Sequence, residues 1–166
     1  MDVTVVEGDI TEQRVDAVVN AANRGMRGGS GVDGAIHAVA GPGLLEECIE
    51  RFPNGLATGS AGWTTGHRLP ARWVIHVVGP NLRAGQTDRG LLDSCYSNAL
   101  QVADELGART VAFPLVSAGA YGWPRQDAIA AAVDTLRATE TSVESAVLVA
   151  FGRSTYDEIA AYLARG

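Results

Sequence analysis

The chain of 166 residues has a net charge of -6, with 46% hydrophobic and 19% charged residues. Its length fits one domain, residues 1–166, and its hydrophobic content is too high for an intrinsically disordered chain. The negative charge argues against an extended nucleic-acid surface, which requires an excess of basic side chains. An anionic ligand would therefore be bound locally, by backbone N–H groups or by one or two arginines.

The residue types that are missing or rare exclude further classes of protein. All 13 basic residues are arginine, so no lysine can form a Schiff base or serve a P-loop. The two cysteines, Cys48 and Cys95, have no C-x-x-C spacing, which argues against a zinc site and against a disulfide framework. We interpret both as small core residues. Without a signal peptide or an apolar run of roughly 20 residues, we expect a cytoplasmic protein with no membrane contact.

Apolar runs that predict strands alternate along the chain with segments that predict helices. The predicted strands are residues 3–6, 16–20, 73–78, 110–116 and 146–151. The predicted helices begin near Val32, cover 43–52 and 91–106, run from Pro124 to about Arg137, and run from a Ser154–Asp157 capping box to Ala164. Solidly apolar strands between helices indicate a sheet covered on both faces. We predict an α/β fold, a three-layer α/β/α sandwich with a central mixed, mostly parallel sheet.

Two glycine-rich loops, residues 25–31 and 117–122, follow strands and precede helices. Ligands of such sheets bind outside the carboxyl ends of the strands, where glycine permits close backbone approach and a helix N-terminus offers free N–H groups. Two loops on one edge therefore predict sites for two anionic groups, as in a diphosphate. The alternative for each loop is a tight strand-to-helix connection that binds no ligand. A formal G-x-G-x-x-G match from Gly29 to Gly34 lies too far from its strand to be a dinucleotide fingerprint.

Three polar side chains at these strand ends are candidates for chemistry. Asp33 is either a capping or dipole-stabilising residue of its helix, or a carboxylate that orders or deprotonates a water beside a bound phosphate. Asp9 is either a turn cap or the acceptor for the exocyclic amine of adenine. Asn23 either satisfies the backbone of a turn or holds a ribose hydroxyl.

Other side chains are assigned mostly structural roles. His76 lies in an apolar strand and is interpreted as a core histidine with satisfied hydrogen bonds, whereas His67 is interpreted as a surface residue. His37 follows Asp33 by one helical turn and would steady the first loop, with a direct catalytic role as the alternative. Phe151 ends the last strand and is interpreted as a core residue, with stacking on a base as the alternative.

Taken together, these motifs resemble the macrodomain family, which binds ADP-ribose. Within the family the chain is most similar to the MacroD type, which includes bacterial O-acetyl-ADP-ribose deacetylases and mono-ADP-ribosyl hydrolases. The resemblance covers roughly residues 5 to 140. The matching motifs are G-D-I-T at 8–11, V-N-A-A-N at 19–23, G-G-S-G-V-D-G-A-I-H at 28–37, L-P-A at 69–71, V-I-H at 74–76, V-G-P at 78–80, A-F-P at 112–114 and the loop 117–124.

The resemblance implies a hydrolase that releases ADP-ribose from esters, either mono-ADP-ribosylated acidic side chains or O-acetyl-ADP-ribose, by attack of water. It implies no metal and no other cofactor. Asp33 and Asn23 are the implied catalytic residues, with Asp33 or the substrate's own phosphate holding the attacking water. The implied ligand-binding residues are Asp9, Ile10, Asn23, Gly31, Val32, Asp33, Ser117, Ala118, Gly119, Ala120, Tyr121 and Gly122.

Two other functions remain as alternatives. The first is a non-catalytic reader that binds ADP-ribosylated proteins, although a reader has no need of a carboxylate beside phosphates. The second is an NAD-binding oxidoreductase, which would need a glycine loop directly after the first strand. The expected partners are ADP-ribose and ADP-ribosylated protein or O-acetyl-ADP-ribose, and we expect a monomer. Ser30 departs from the usual family pattern, because it replaces one glycine of the first loop.

Overall fold

The computed structural model describes all of residues 1–166 and contains six strands and five α-helices. In chain order these elements are β1 (Asp2–Glu7), β2 (Ala17–Ala22), α1 (Gly31–Ala40), α2 (Pro42–Arg51), β3 (Ala61–Thr65), β4 (Trp73–Val78), α3 (Arg89–Leu106), β5 (Thr110–Phe113), α4 (Arg125–Ala138), β6 (Ser145–Ala150) and α5 (Arg153–Ala164). Two short 3-10 turns, Ile10–Glu12 and Leu82–Ala84, follow β1 and β4.

The strands form one sheet in the order β1-β6-β5-β2-β4-β3. Every neighbouring pair is parallel except β3 and β4, which are antiparallel. The prediction of a mixed, mostly parallel sheet is thereby confirmed. Because five strands point the same way, the segments that follow them share one edge of the sheet, and both glycine-rich loops begin there.

Helices cover both faces of the sheet, as the solidly apolar strands predicted. Val18 packs in a core with Ile36 and Leu44 of α1 and α2. Its neighbour Val19 packs in a second core with side chains of α3, α4 and α5, such as Leu100. Successive residues of a strand point to opposite faces, so this alternation makes the three-layer α/β/α sandwich.

Several boundaries differ from the predicted ones for identifiable reasons. Strand β5 ends at Phe113 rather than at residue 116, because Pro114 has no N–H with which to continue the ladder. The edge strand β3 was not predicted, since its sequence A-G-W-T-T carries little apolar signal. The predicted Ser154–Asp157 capping box is wrong: α5 begins at Arg153, and Oγ of Ser154 instead accepts a hydrogen bond of 3.3 Å from Arg125.

None of the five α-helices combines the length and the apolar character needed to cross a membrane.

Candidate functional site

A groove at the carboxyl edge of the sheet lies between the two glycine-rich loops. Its cavity volume is about 160 Å³, and the groove opens to solvent. Its walls come from the end of β2, the first turn of α1, the residue after β4 and the loop after β5. The lining residues are Ala21, Ala22, Asn23, Ser30, Gly31, Val32, Asp33, Gly79, Leu115, Val116, Ser117, Gly119, Ala120 and Tyr121.

Eight of the predicted site residues therefore lie together in this groove, and four do not line it. Ala118 is half-buried and packs against the core beneath its loop. Gly122 has a φ of 75° and lies against the side chain of Arg83. Asp9 and Ile10 follow β1, further along the same edge of the sheet.

The groove also has lining residues that were not among the predicted site residues: Ala21, Ala22, Ser30, Gly79, Leu115 and Val116. Ala21 and Ala22 are the last residues of β2, and Leu115 and Val116 come just after β5. Ala21, Ala22 and Gly79 belong to the sequence motifs named above and Ser30 to the first glycine-rich loop, whereas Leu115 and Val116 were indicated only by their position after a parallel strand.

Asn23 organises the first loop through both ends of its amide. Its Oδ1 accepts a hydrogen bond of 3.2 Å from the backbone N–H of Met26, and its Nδ2 donates one of 3.0 Å to the carbonyl of Gly28. The turn-satisfying interpretation of Asn23 is thus observed. One N–H of the amide remains free for a further acceptor, because an Asn amide carries two.

The first loop packs closely around Asp33, and Gly34 of α1 leaves no room for a side chain. A Cβ on Gly34 would lie 2.7 Å from the carbonyl oxygen of Gly29. A Cβ on Gly29 would lie 3.0 Å from Oδ2 of Asp33 and 3.2 Å from Nδ2 of Asn23. The loop therefore lies directly against the carboxylate and the amide, and it brings both to the groove.

Asp33 occupies the first turn of α1 and is only 4% exposed. Its Oδ1 accepts a hydrogen bond of 2.8 Å from Nδ2 of Asn20, and Nε2 of His37 lies 3.4 Å from the same oxygen. The carboxylate caps no backbone N–H of α1, so Asp33 is not a cap, although it is an acidic residue in the first turn, where it stabilises the helix dipole. Its Oδ2 receives no hydrogen bond from the protein, and it belongs to a residue that lines the groove.

A buried chain of polar side chains continues from Asp33 away from the groove. Nδ2 of Asn20 also lies 3.1 Å from Nδ1 of His76, and Nε2 of His76 lies 3.0 Å from Oγ1 of Thr64. Burial, assisted by the charge of His37, lowers the pKa of His76 to about 3. His76 is therefore a neutral core histidine with satisfied nitrogens, as the sequence indicated.

The second loop is held in a strained conformation at its start. Ser117 has a φ of 66°, which a non-glycine residue seldom adopts. Its Oγ donates a hydrogen bond of 2.8 Å to the carbonyl of Pro80, and its carbonyl accepts one of 2.9 Å from Trp123. Strain of this kind persists only where the surroundings fix it, and it is concentrated at functional sites.

Tyr121 lines the groove from the second loop, as Asp33 does from α1. Burial raises the pKa of the Tyr121 hydroxyl, and the negative charge of Asp33 raises it further. The carbonyl of Tyr121 accepts hydrogen bonds of 3.0 and 3.3 Å from the N–H groups of Leu82 and Arg83. The segment after β4 thus supports the loop from behind.

Asp9 and Phe151 follow the paired ends of the neighbouring strands β1 and β6. The strands are paired so that Glu7 is opposite Ala150, and Gly8 donates a 2.8 Å hydrogen bond to the carbonyl of Ala150. Oδ1 of Asp9 caps the following turn by accepting hydrogen bonds of 2.9 and 2.7 Å from Thr11. Phe151 is 93% exposed, so its interpretation as a core residue is wrong.

The remaining candidates lie outside the groove. Burial raises the pKa of Cys48 to about 11 and that of Cys95 to about 12, so neither thiol is an activated nucleophile. His67 lies at the surface and contacts Glu47 at 2.8 Å. No three His, Cys, Asp or Glu side chains come together as a metal site would require.

The fold and the groove define an α/β sandwich with a loop-lined site at the carboxyl edge of its sheet, and comparison with known proteins gives its family. The family model of the Macro domain matches residues 19–132. The chain belongs to the Macro domain family.

Three similar proteins show how far this relationship extends. The "Macro domain-containing protein SCO6450" of Streptomyces coelicolor is 52% identical over 165 residues, 97% of this chain and 98% of that protein. The "ADP-ribose glycohydrolase MACROD2" of Xenopus laevis is 47% identical over 137 residues, 81% of this chain but 32% of that protein. The structure of the Trypanosoma brucei macrodomain in complex with ADP-ribose aligns with a TM-score of 0.88 at 36% identity, covering 97% of this chain and 68% of that one.

Proposed function

We propose that this chain is a hydrolase that binds ADP-ribose in the groove and releases it from esters. The substrates are mono-ADP-ribosylated acidic side chains, O-acetyl-ADP-ribose, or both. The observation that carries the proposal is the buried carboxylate of Asp33 in the wall of the groove, which has one oxygen held by Asn20 and the other without a hydrogen-bond partner in the protein. The similarity to an ADP-ribose glycohydrolase and to a macrodomain crystallised with ADP-ribose supports it.

The diphosphate of ADP-ribose would lie between the two loops. Gly31 and Val32 begin α1, where the first N–H groups have no partner inside the helix and the helix dipole attracts anions. Ser117, Ala118, Gly119, Ala120, Tyr121 and Gly122 would supply backbone groups from the opposite side. This arrangement binds two phosphates without lysine, consistent with the composition of the chain.

The adenine would lie beyond the first phosphate, at the ends of β1 and β6. The Oδ2 of Asp9 is left over from the turn cap and would accept the exocyclic amine, with the backbone of Ile10 beside it. The exposed ring of Phe151 would stack on the base. Exposing the apolar ring of Phe151 to water is unfavourable in free energy, and a stacked base would cover that surface.

The distal ribose and the ester would lie between Asn23 and Asp33. The free N–H of Asn23 would hold a ribose hydroxyl, and Oδ2 of Asp33 would accept a proton from the attacking water. The water oxygen forms a bond to the carbon of the ester C–O bond that breaks, the electron pair of that bond stays on the leaving oxygen, and the leaving oxygen takes up the proton from Asp33. The products are ADP-ribose and a carboxylic acid, and positioning of the water supplies most of the acceleration.

A non-catalytic reader is the second candidate function. The groove is lined mainly by backbone and small apolar groups, so ADP-ribose binding alone does not require Asp33. Binding assays therefore cannot separate the two functions, whereas turnover can.

The decisive experiment offers the protein a peptide mono-ADP-ribosylated on glutamate and follows the release of free ADP-ribose. Asp33→Asn keeps the shape of the side chain and removes its basicity, and it should lower turnover about 10²- to 10⁴-fold. The dissociation constant for ADP-ribose should stay within about threefold. Asp134→Asn is the control, because Asp134 is an exposed carboxylate of α4 that does not line the groove, and asparagine can still accept a hydrogen bond from Tyr162.

Two results would contradict the proposal. Tight ADP-ribose binding with no release by the wild-type protein would establish the reader. Full turnover by Asp33→Asn would assign the water to another group, such as the phosphate of the substrate.

A further inference from the structure

We infer that Asn20 and His76 are positioning residues that hold the carboxylate of Asp33 in its working orientation. The inference rests on the proposed hydrolase function. Thr64, His76, Asn20 and Asp33 form a continuous hydrogen-bonded chain, and these residues are 0%, 1%, 0% and 4% exposed, respectively. Neither Asn20 nor His76 lines the groove, so neither would touch the substrate.

The charge of Asp33 determines the direction of the hydrogen bonds along this chain. An ionised carboxylate only accepts, so the group of Asn20 at 2.8 Å from Oδ1 must be the amide N–H₂. The second N–H of that amide points to Nδ1 of His76 at 3.1 Å, which must then carry no proton. The proton of the neutral imidazole lies on Nε2 and is donated to Oγ1 of Thr64 at 3.0 Å.

The unpaired oxygen of Asn20 is consistent with this orientation of its amide. Its Oδ1 is buried without a hydrogen-bond partner. A buried acceptor without a partner is unfavourable. Rotating the amide by 180° would not remove this cost, because it would place Oδ1 of Asn20 against the carboxylate oxygen of Asp33. The orientation is therefore maintained by its two acceptors, Asp33 and His76.

The sheet explains why these groups are held so firmly. Asn20 of β2 is paired in register with His76 of β4, and Thr64 lies on the neighbouring strand β3. The ring of His76 also packs edge-on against Phe52, with centroids 6.1 Å apart. Three adjacent strands thus fix Oδ1 of Asp33, while Oδ2 has no hydrogen-bond partner in the protein. A shift of about 1 Å at a reacting group can cost about 10²-fold in rate.

Variants of His76 separate positioning from packing. His76→Phe keeps a ring against Phe52 but removes the acceptor for Asn20. His76→Asn brings an oxygen close to the position of Nδ1, and His76→Gln brings its polar atoms to the position of Nε2. We expect His76→Phe and His76→Gln to lower kcat roughly 10- to 100-fold with KM within about threefold. His76→Asn should recover most of kcat, although it leaves the largest gap in the core.

A purely structural role for His76 predicts the opposite ranking, with Phe and Gln more active than Asn. That ranking, or loss of KM and kcat together in all three proteins, would overturn the inference. Urea unfolding of each variant shows whether it is folded under the assay conditions.

A spectroscopic readout does not depend on catalysis. The ¹⁵N spectrum of His76 in the wild-type protein should show a protonated Nε2 and a bare Nδ1 near neutral pH, and Asn20→Ala should shift the Nδ1 signal. Should the wild-type protein release no ADP-ribose, the proposed function fails, and this spectrum still decides the inference. A protonated Nδ1, or a Nδ1 signal unmoved in Asn20→Ala, would overturn it.

Discussion

The Cβ that Gly79 lacks would lie 2.2 Å from Oγ of Ser117. The residue after β4 therefore contacts the strained first residue of the second loop, with Cγ1 of Val116 only 2.5 Å from the same point. This contact couples the end of one strand to the groove. Because Ser117 already has a left-handed backbone, it has little freedom to move aside.

Gly79→Ala should therefore both destabilise the protein and weaken the binding of ADP-ribose. Overpacking of this kind costs about 1–3 kcal/mol of unfolding free energy, measured by urea denaturation. Gly119→Ala is the control, since a Cβ there would meet nothing within 4 Å, and its unfolding free energy should change by less than about 0.5 kcal/mol. Equal stabilities of the two variants would show that the second loop adapts freely.

Asp9→Asn tests the recognition of adenine while keeping the turn cap. The Asn oxygen can still accept from Thr11, but its N–H₂ would replace the acceptor offered to the adenine amine. We expect ADP-ribose binding to weaken by about 1.5–3 kcal/mol in calorimetry. Binding of the inosine analogue, which has an oxygen in place of that amine, should improve relative to ADP-ribose. An unchanged preference for adenine would remove Asp9 from the site.

Phe151→Ala tests the stacking surface. The side chain is 93% exposed, so its removal should leave the unfolding free energy within about 0.5 kcal/mol of wild type. Base stacking on an aromatic ring is worth about 1–3 kcal/mol, and ADP-ribose affinity should fall accordingly. Ile49→Ala is the control, because Ile49 is an exposed apolar residue of α2 at 48%. If both variants bind ADP-ribose like the wild type, the ring does not contact the base.

The buried His76 predicts how stability depends on pH. Burial lowers its pKa to about 3 in the native protein, against 6.5 in the unfolded chain. Below pH 6.5 the unfolded chain binds a proton that the native protein excludes, so stability is lost on acidification between pH 6.5 and about 3. The loss approaches about 1.4 kcal/mol per pH unit.

The contribution of His76 is isolated by comparing the wild type with His76→Phe. Between pH 6.5 and pH 4.5 the unfolding free energy of the wild type should fall by about 2 kcal/mol more than that of the variant. Parallel curves for the two proteins would mean that His76 is protonated in the native state, contrary to its burial.

Local patterns in the sequence were sufficient for much of the fold and for the location of the groove. Apolar runs such as residues 73–78 gave the central strands, and glycine-rich segments after two of them indicated where a ligand would bind. Composition excluded lysine chemistry. These features depend on residues close together in the chain, where periodicity and turn chemistry act directly.

Other features depended on residues far apart in the chain, which only the tertiary structure brings together. The edge strand β3 has weak apolar character and exists through its pairing with β4. The exposure of Phe151 follows from what the fold leaves uncovered at the end of β6, although the residue type suggested a core position. The contact of Gly79 with Ser117 likewise joins two separate strand ends.

The sequence by itself determined that Asp33 begins a helix beside a glycine-rich loop. Only the tertiary structure decided which oxygen of Asp33 is held and which is free. Asn20 and His76 are 56 positions apart, and they meet because β2 and β4 are neighbours in the sheet. The order of strands arises from burying both faces of the sheet at once, a property of the whole core that no local pattern encodes.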